Sequence, residues 1–302
     1  MRLEATSILM VEQRLTKFGS DMDRNTLLSF VQELYLRDIG LEETVPGMNM
    51  LTVERLSKRF GKLEAVKDLS FTVSQGEIFG LLGPNGAGKT TTIKIIIGML
   101  DPNSGNVRVN GCSVAEQPLE VKRQIGYVPE NCALYENLTA REYLELVGNL
   151  HHLPPDRIAT QIERLMTTLD LADAIDRRMT GYSKGMKQKI LLTSALLHNP
   201  DLIIMDEPFA GLDSNSAAVF KQLIGQLVAG GKTVIFSSHV LEVVEKLCKR
   251  LLIIHEGEKL AAGTIEEVLA QAGETSLDKA FSKLTGVTDI ADRAADILDA
   301  LE

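Results

Sequence analysis

The chain is poor in the features that mark whole classes of protein. Its three cysteines, Cys112, Cys132 and Cys248, are scattered through 302 residues with no CxxC spacing. A disulfide framework or a zinc knuckle is therefore not indicated, and the thiols read as reduced ones in a cytosolic protein. No apolar run approaches the roughly 20 residues that cross a bilayer. The most apolar stretches, Ile93–Leu100 and Leu202–Met205, are far shorter, so any membrane role is expected through a partner. Basic charge is also scarce: 32 Lys and Arg stand against 41 Asp and Glu, a net charge of −9. Without a global positive field, nucleic acid is not an expected ligand. The N-terminus shows no apolar stretch with a small-residue cleavage site, so a secretory signal is not expected.

What remains is an ordinary globular composition, 44% hydrophobic and 24% charged, with length for one large domain and appendages. Residues 1–49 read as an N-terminal helical appendage, because Leu27, Val31, Leu34 and Tyr35 recur at helical spacing and "VPG" at 45–47 breaks the pattern. From Met50 the pattern turns to short strands, at 50–56, 69–73 and 78–82, then a glycine-rich turn and a helix over 89–100. Strands follow at 107–109, 125–128, 202–205, 234–237 and 251–255, the later ones separated by helical stretches. Such alternation implies an α/β fold with a largely parallel sheet over residues 50–260. Within it, residues 131–182 read as an inserted helical subdomain. A capping box at Thr139–Glu142 opens it, and Ile158, Ile162, Leu165 and Leu169 share one helical face. Residues 261–302 read as a C-terminal helical extension.

Three stretches carry chemistry. "GPNGAGKT", Gly83 to Thr90, lies between an apolar strand and an apolar helix. Glycines let successive backbone N–H groups turn toward an anion, and the helix N-terminus adds its own. Lys89 then reaches the outer phosphates of a nucleotide, and Thr90 offers a hydroxyl to Mg²⁺. "LIIMDE" ends a buried-type strand in Asp206 and Glu207. Adjacent acids at that position need a cation or ligand to compensate them. Asp206 suits metal coordination and Glu207 suits a general base. "FSSH" sets His239 at the next strand end, able to touch a γ-phosphate and orient Glu207. His151, His152, His198 and His255 form no ligand set. In "TGYSKGMKQK", Lys184, Lys187 and Lys189 read as a solvated helix face.

The order of these stretches resembles the nucleotide-binding subunit of an ABC transporter, over about residues 50–260. "GPNGAGKT" resembles the Walker A motif and "LIIMDEP" the Walker B motif. "AGLD" at 210–213 resembles the D-loop, "SSHVLE" the switch-histidine region and "YSKGM" at 182–186 the signature. The resemblance implies a P-loop NTPase fold with an antiparallel β portion beside the parallel sheet. It further implies ATP held by Val66, Gly83, Pro84, Asn85, Gly86, Ala87, Gly88, Lys89, Thr90 and Thr91, with Phe60 stacked on the adenine. Thr90, Asp206 and Glu130 are implied at Mg²⁺, with Lys89, Glu207 and His239 catalytic. Ser183 and Gly185 are implied to reach an ATP held mainly by another subunit, and Asp213 of the D-loop is implied among the nucleotide-binding residues. Glu130 departs from the family's usual glutamine, and Tyr182, Lys184 and Met186 depart from the common signature.

By the same resemblance, two such chains, identical or not, sandwich two ATP molecules and drive a transmembrane permease. The protein then sits in the cytoplasm at the inner face of the membrane. The permease surface is expected around Glu130–Tyr143, with Leu134, Tyr135 and Leu138 as apolar contacts. Similarity to members with separately encoded membrane subunits points to export. Two alternatives stand beside this: a soluble ABC-type ATPase switch in DNA repair or on ribosomes, and a nucleotide-binding module without turnover. The single short helical insertion and the intact Glu207 and His239 count against them.

Overall fold

The computed structural model describes residues 49–131, 134–209 and 214–286. The expected helix at 27–35, Cys132 and the D-loop residue Asp213 lie outside the described residues. Two long strands, β1 (Asn49–Phe60) and β2 (Leu63–Ser74), form an antiparallel hairpin. β4 (Ser104–Val109) joins the free edge of β1 and β5 (Cys112–Ser113) follows, in the order β2-β1-β4-β5. One face of this sheet is apolar: Leu51, Val53, Leu69, Val73 and Val109 are buried in a single cluster with Ile93 and Ile96 of α1 (Lys89–Ile96).

The second sheet is built on β3 (Ile78–Leu82), whose apolar run is covered on both faces. With β6 (Ile125–Val128), β7 (Leu202–Met205), β8 (Thr233–Ser238) and β9 (Arg250–His255) it forms a five-stranded parallel core. An antiparallel edge strand, β10 (Glu258–Thr264), completes the order β10-β9-β3-β8-β7-β6. Continuous burial along β7 and β8 is what a doubly covered parallel sheet demands. The fold is the expected mixed one, a parallel sheet beside an antiparallel portion.

The helical insertion contains α3 (Ala140–Leu150) and α4 (Pro155–Thr168) and leads into α5 (Lys184–Leu196). Its capping box is present: the Thr139 hydroxyl accepts from the Glu142 N–H at 3.1 Å, and the Glu142 carboxylate accepts from the Thr139 N–H at 2.8 Å. Leu144, Ile158, Ile162 and Met166 close a separate small core, to which α5 lends Ile190.

Between β5 and β6 lies α2 (Pro118–Gln124), and β7 to β9 are linked by α6 (Ser214–Ala229) and α7 (Leu241–Leu247). After β10 come α8 (Ile265–Ala272) and α9 (Leu277–Thr285). Their Val268 and Leu277 share a core with Phe236 and Ile253. The segment from 261 to 286 is therefore an integral layer of the domain, and the expected boundary at 260 falls inside β10.

Candidate active site

The groups singled out on chemical grounds follow the carboxyl ends of parallel strands. The glycine-rich loop follows β3, Glu130 follows β6, Asp206 and Glu207 follow β7, and His239 follows β8. Open α/β sheets bind ligands at this edge. A cavity of about 900 Å³ opens there, lined by Asn85, Gly86, Ala87, Gly88, Lys89, Thr90, Thr91, Glu130, Glu207 and His239. Phe60, Lys62, Leu63, Glu64, Ala65 and Lys67, from β1, β2 and the turn between them, line it as well.

Gly88 shows why the loop must be glycine-rich. Its φ is +107°, and the Ala65 carbonyl occupies the space of any Cβ added there. Neither condition suits a larger residue. Next to it the Lys89 side chain is only 7% exposed; its Nζ donates to the Gly83 carbonyl at 2.7 Å and the Pro84 carbonyl at 3.3 Å. It also lies 3.7 Å from Glu207 Oε1. Two buried ions facing each other recover their desolvation only with further hydrogen bonds. Lys89 has its two carbonyls, so Gly83 and Pro84 serve here through backbone oxygens. Glu207 Oε2 accepts from the His239 backbone N–H at 3.3 Å and approaches His239 Nδ1 at 2.8 Å. A carboxylate only accepts, so Nδ1 carries that proton.

Asp206 is 1% exposed. Its Oδ2 accepts from the Thr90 hydroxyl at 2.9 Å and its Oδ1 from the Ser237 hydroxyl at 2.5 Å. Ser237 also accepts from the Glu207 N–H at 2.9 Å, so one hydroxyl fixes both acids. Glu207 has a φ of +49°, a conformation that costs a side-chain-bearing residue about 1–3 kcal/mol and persists only when its surroundings impose it. Ser237 was not singled out from the sequence. Its signal was the pair of hydroxyls ending an otherwise apolar, wholly buried strand. Tyr127 was missed as well; burial, then Asp206 and Glu130, push its hydroxyl well above the ordinary phenol range.

Glu130 is exposed at the cavity wall. Among the described residues no three His, Cys, Asp or Glu side chains are grouped to hold a metal by themselves. The Thr90–Asp206 pair offers two hard oxygens. Phe60 is 47% exposed with the Lys58 ammonium 5.3 Å from its ring centre. One face of the ring is thus held by a cation and the ring borders the cavity. Val66 is a correction: it is 2% exposed and part of the core, and the cavity contacts come from its neighbours Ala65 and Lys67.

Ser183 and Gly185 do not line this cavity. Ser183 is the N-cap of α5, accepting from the Met186 N–H at 3.3 Å, and space is open over Gly185. The neighbouring lysines correct the expected solvated face. Lys187 pairs with Glu136 at 2.6 Å, and Lys189 donates to the Leu169 carbonyl at 2.8 Å, while Lys184 is exposed. Tyr182, the departure at the head of the motif, is buried and donates its hydroxyl to the Ala174 carbonyl at 2.6 Å. Gln188 ties α5 to the loop after β7 by donating to the Pro208 carbonyl at 2.7 Å.

A glycine loop between strand and helix, with a strand-end acid pair in contact with its lysine and threonine, defines a P-loop nucleotide-binding domain, here with a helical insertion. A family model described as ABC transporter matches residues 66–210. The ABC transporter ATP-binding protein NatA of Bacillus subtilis (strain 168) is 40% identical over 241 residues, covering 78% of this chain and 98% of NatA. The daunorubicin resistance ATP-binding protein DrrA3 of Streptomyces coeruleorubidus is 34% identical, over 83% of this chain and 84% of DrrA3. A solved structure of an ATP-binding subunit of an ABC transporter superposes with a TM-score of 0.73 at 35% identity, over 78% of this chain and 99% of that one. The chain belongs to the ABC transporter family, among its ATP-binding proteins.

Proposed function

We propose that the chain binds and hydrolyses ATP, and that two such domains close around ATP to drive a membrane permease, in the direction of export. One observation carries the ATPase reading: Glu207 is held between Lys89 and His239 in the cavity that Thr90 also lines, with Asp206 buried and bonded to the Thr90 hydroxyl. A triphosphate entering beside Asp206, Glu207 and Glu130 meets like charge, which only a cation offsets. Thr90 and Asp206 would hold Mg²⁺ there, a hard ion that takes oxygen ligands. When bound, it neutralises phosphate charge and polarises the γ-phosphoryl group.

The rest is done by the chain. The loop at Asn85–Thr91 and the start of α1 bind the β- and γ-phosphates, and Lys89 exchanges its carbonyl contacts for phosphate oxygens. Glu207 takes a proton from a water whose oxygen bonds to the γ-phosphorus; the bond to the β–γ bridging oxygen breaks and its electrons leave with ADP. His239 holds Glu207 in place through Nδ1–H. A neutral ring that donates there has a bare Nε2, so a hydrogen bond from Nε2 to a phosphate oxygen requires the imidazolium. Phe60 supplies a π-face for adenine.

Dimer formation is supported by the signature itself. Ser183 and Gly185 stand at an exposed helix N-terminus away from their own chain's cavity, which suits a γ-phosphate presented by a second copy. The permease reading rests on the family and on exposed Tyr135, which lies beside Glu130 in the chain. No helix among the described residues is long and apolar enough to cross a membrane. Export is supported by the name of another relative, the Nod factor export ATP-binding protein I of Ralstonia nicotianae, 34% identical over 74% of this chain and 71% of that one. The test is steady-state ATP hydrolysis by wild type and Glu207→Gln, alongside ATP binding. A drop of about 100-fold or more in turnover with binding retained is expected; equal turnover removes the enzyme reading.

A further inference from the structure

The β9–β10 turn, Glu256–Gly257, is the one strand end at the ligand-facing edge with no part in the chemistry above. It is bonded both to the phosphate loop and to β2. The Gly257 N–H donates to the Ala87 carbonyl at 2.9 Å, on the phosphate loop, and the Gly257 carbonyl accepts from the Lys67 N–H at 2.8 Å, on β2. A Cβ added to Gly257 would stand 3.0 Å from the Ala65 carbonyl, so the turn is seated against the strand as closely as glycine permits. Glu256 has a φ of +48° and lines the cavity. Its carboxylate has no hydrogen bond or ion pair among the described residues, whereas Glu258 just beyond it pairs with Lys67 at 3.1 Å.

Glu256 is exposed, as are Glu64 and Glu130 on the same cavity wall, and of the three it is the one whose backbone neighbour is bonded both to the phosphate loop and to β2. Given the proposed ATP pose, phosphates lie on Asn85–Thr91 and the base lies near Phe60. The turn touches Ala87 on one side and β2 on the other, so what crosses this junction is the sugar. We propose that Glu256 reads the ribose, its carboxylate accepting from the 2′- and 3′-hydroxyls as acidic residues do in other nucleotide folds. It is a specificity-determining residue for ribonucleotides and takes no part in phosphoryl transfer. This rests on the ATP-binding reading above.

The test is equilibrium binding of ATP and 2′-deoxy-ATP to the full chain, wild type, Glu256→Gln and Glu256→Gly, with steady-state hydrolysis of both nucleotides in parallel. Glycine accepts the positive φ without strain, so that variant keeps the turn. Wild type is expected to favour ATP by about tenfold, the worth of one hydrogen bond to a charged acceptor. Glu256→Gly should bind both nucleotides alike, Glu256→Gln should fall between, and kcat with ATP should stay within about twofold while KM rises. Equal binding of both nucleotides by wild type, or an unchanged preference in Glu256→Gly, overturns the assignment and leaves the ATP site standing. If wild type binds neither nucleotide, the ATP-binding reading fails and this inference falls with it.

Discussion

His198 donates its Nε2–H to the Ile125 carbonyl at 3.0 Å and stacks on His151, with ring centres 3.8 Å apart. The pair ties the end of α3 to the end of α5. Burial, then the neighbouring His151, lowers the His198 pKa to about 4, and burial also lowers that of His151. Above pH about 6.5 the ring is neutral folded or unfolded, and pH has no leverage through it. Between about 6.5 and 4 the unfolded chain takes up a proton that the folded chain refuses, so stability falls as pH falls. Scanning calorimetry at pH 7.5 and 5 should show a melting temperature lower at pH 5, with a smaller drop in His198→Gln, which keeps the bond to Ile125. An equal drop in both proteins contradicts the assignment. The pairing was not legible in the sequence, because His151 and His198 lie 47 positions apart, in the turns after α3 and α5, and neither belongs to a motif. Lys89, Asp206, Glu207 and His239 were legible, because each sits at a fixed offset from a strand or helix signal. Ser237 acts through Asp206, and such a role exists only once strands are paired.

α5 is the element whose meaning changed most. Its first turn, basic and flexible in the sequence, is fixed at several points: the Ser183 cap, the Lys187–Glu136 pair, the Lys189 bond to Leu169 and the buried Tyr182 hydroxyl. Glu136 lies one residue from exposed Tyr135, so the segment expected to meet a permease is bonded directly to the signature helix. Tyr182→Phe leaves the Ala174 carbonyl without its donor and should cost about 1–2 kcal/mol. The melting temperature should then fall by roughly 3–6 °C. No change would mean that the hydroxyl is not what holds the head of this helix. Periodicity located α3 to α6 and the parallel strands to within a few residues, since each carries a continuous or one-faced apolar pattern. It missed α2, which is short and buries only Val121, and β10, whose exposed, glycine-containing sequence becomes a strand only by pairing with β9.

At the scale of the whole molecule, the proposed dimer makes the cavity half a site. One chain supplies the phosphate loop, the acid pair and His239, but its own Ser183 and Gly185 stand elsewhere, at an exposed helix start with open space before it. A head-to-tail pair with two-fold symmetry would complete both sites at once. The most direct test mixes two variants that are inactive by themselves. Lys89→Ala lacks the phosphate-binding ammonium, and Ser183→Arg blocks the signature. In a mixed dimer one composite site contains both lesions and the other contains neither. Each variant alone should be nearly inactive in ATP hydrolysis. An equal mixture should recover up to about a quarter of wild-type turnover, since half of randomly formed dimers are mixed and each has one intact site of two. If the mixed dimer is captured through two different tags and hydrolyses no more ATP than either variant alone, the site is not shared between chains.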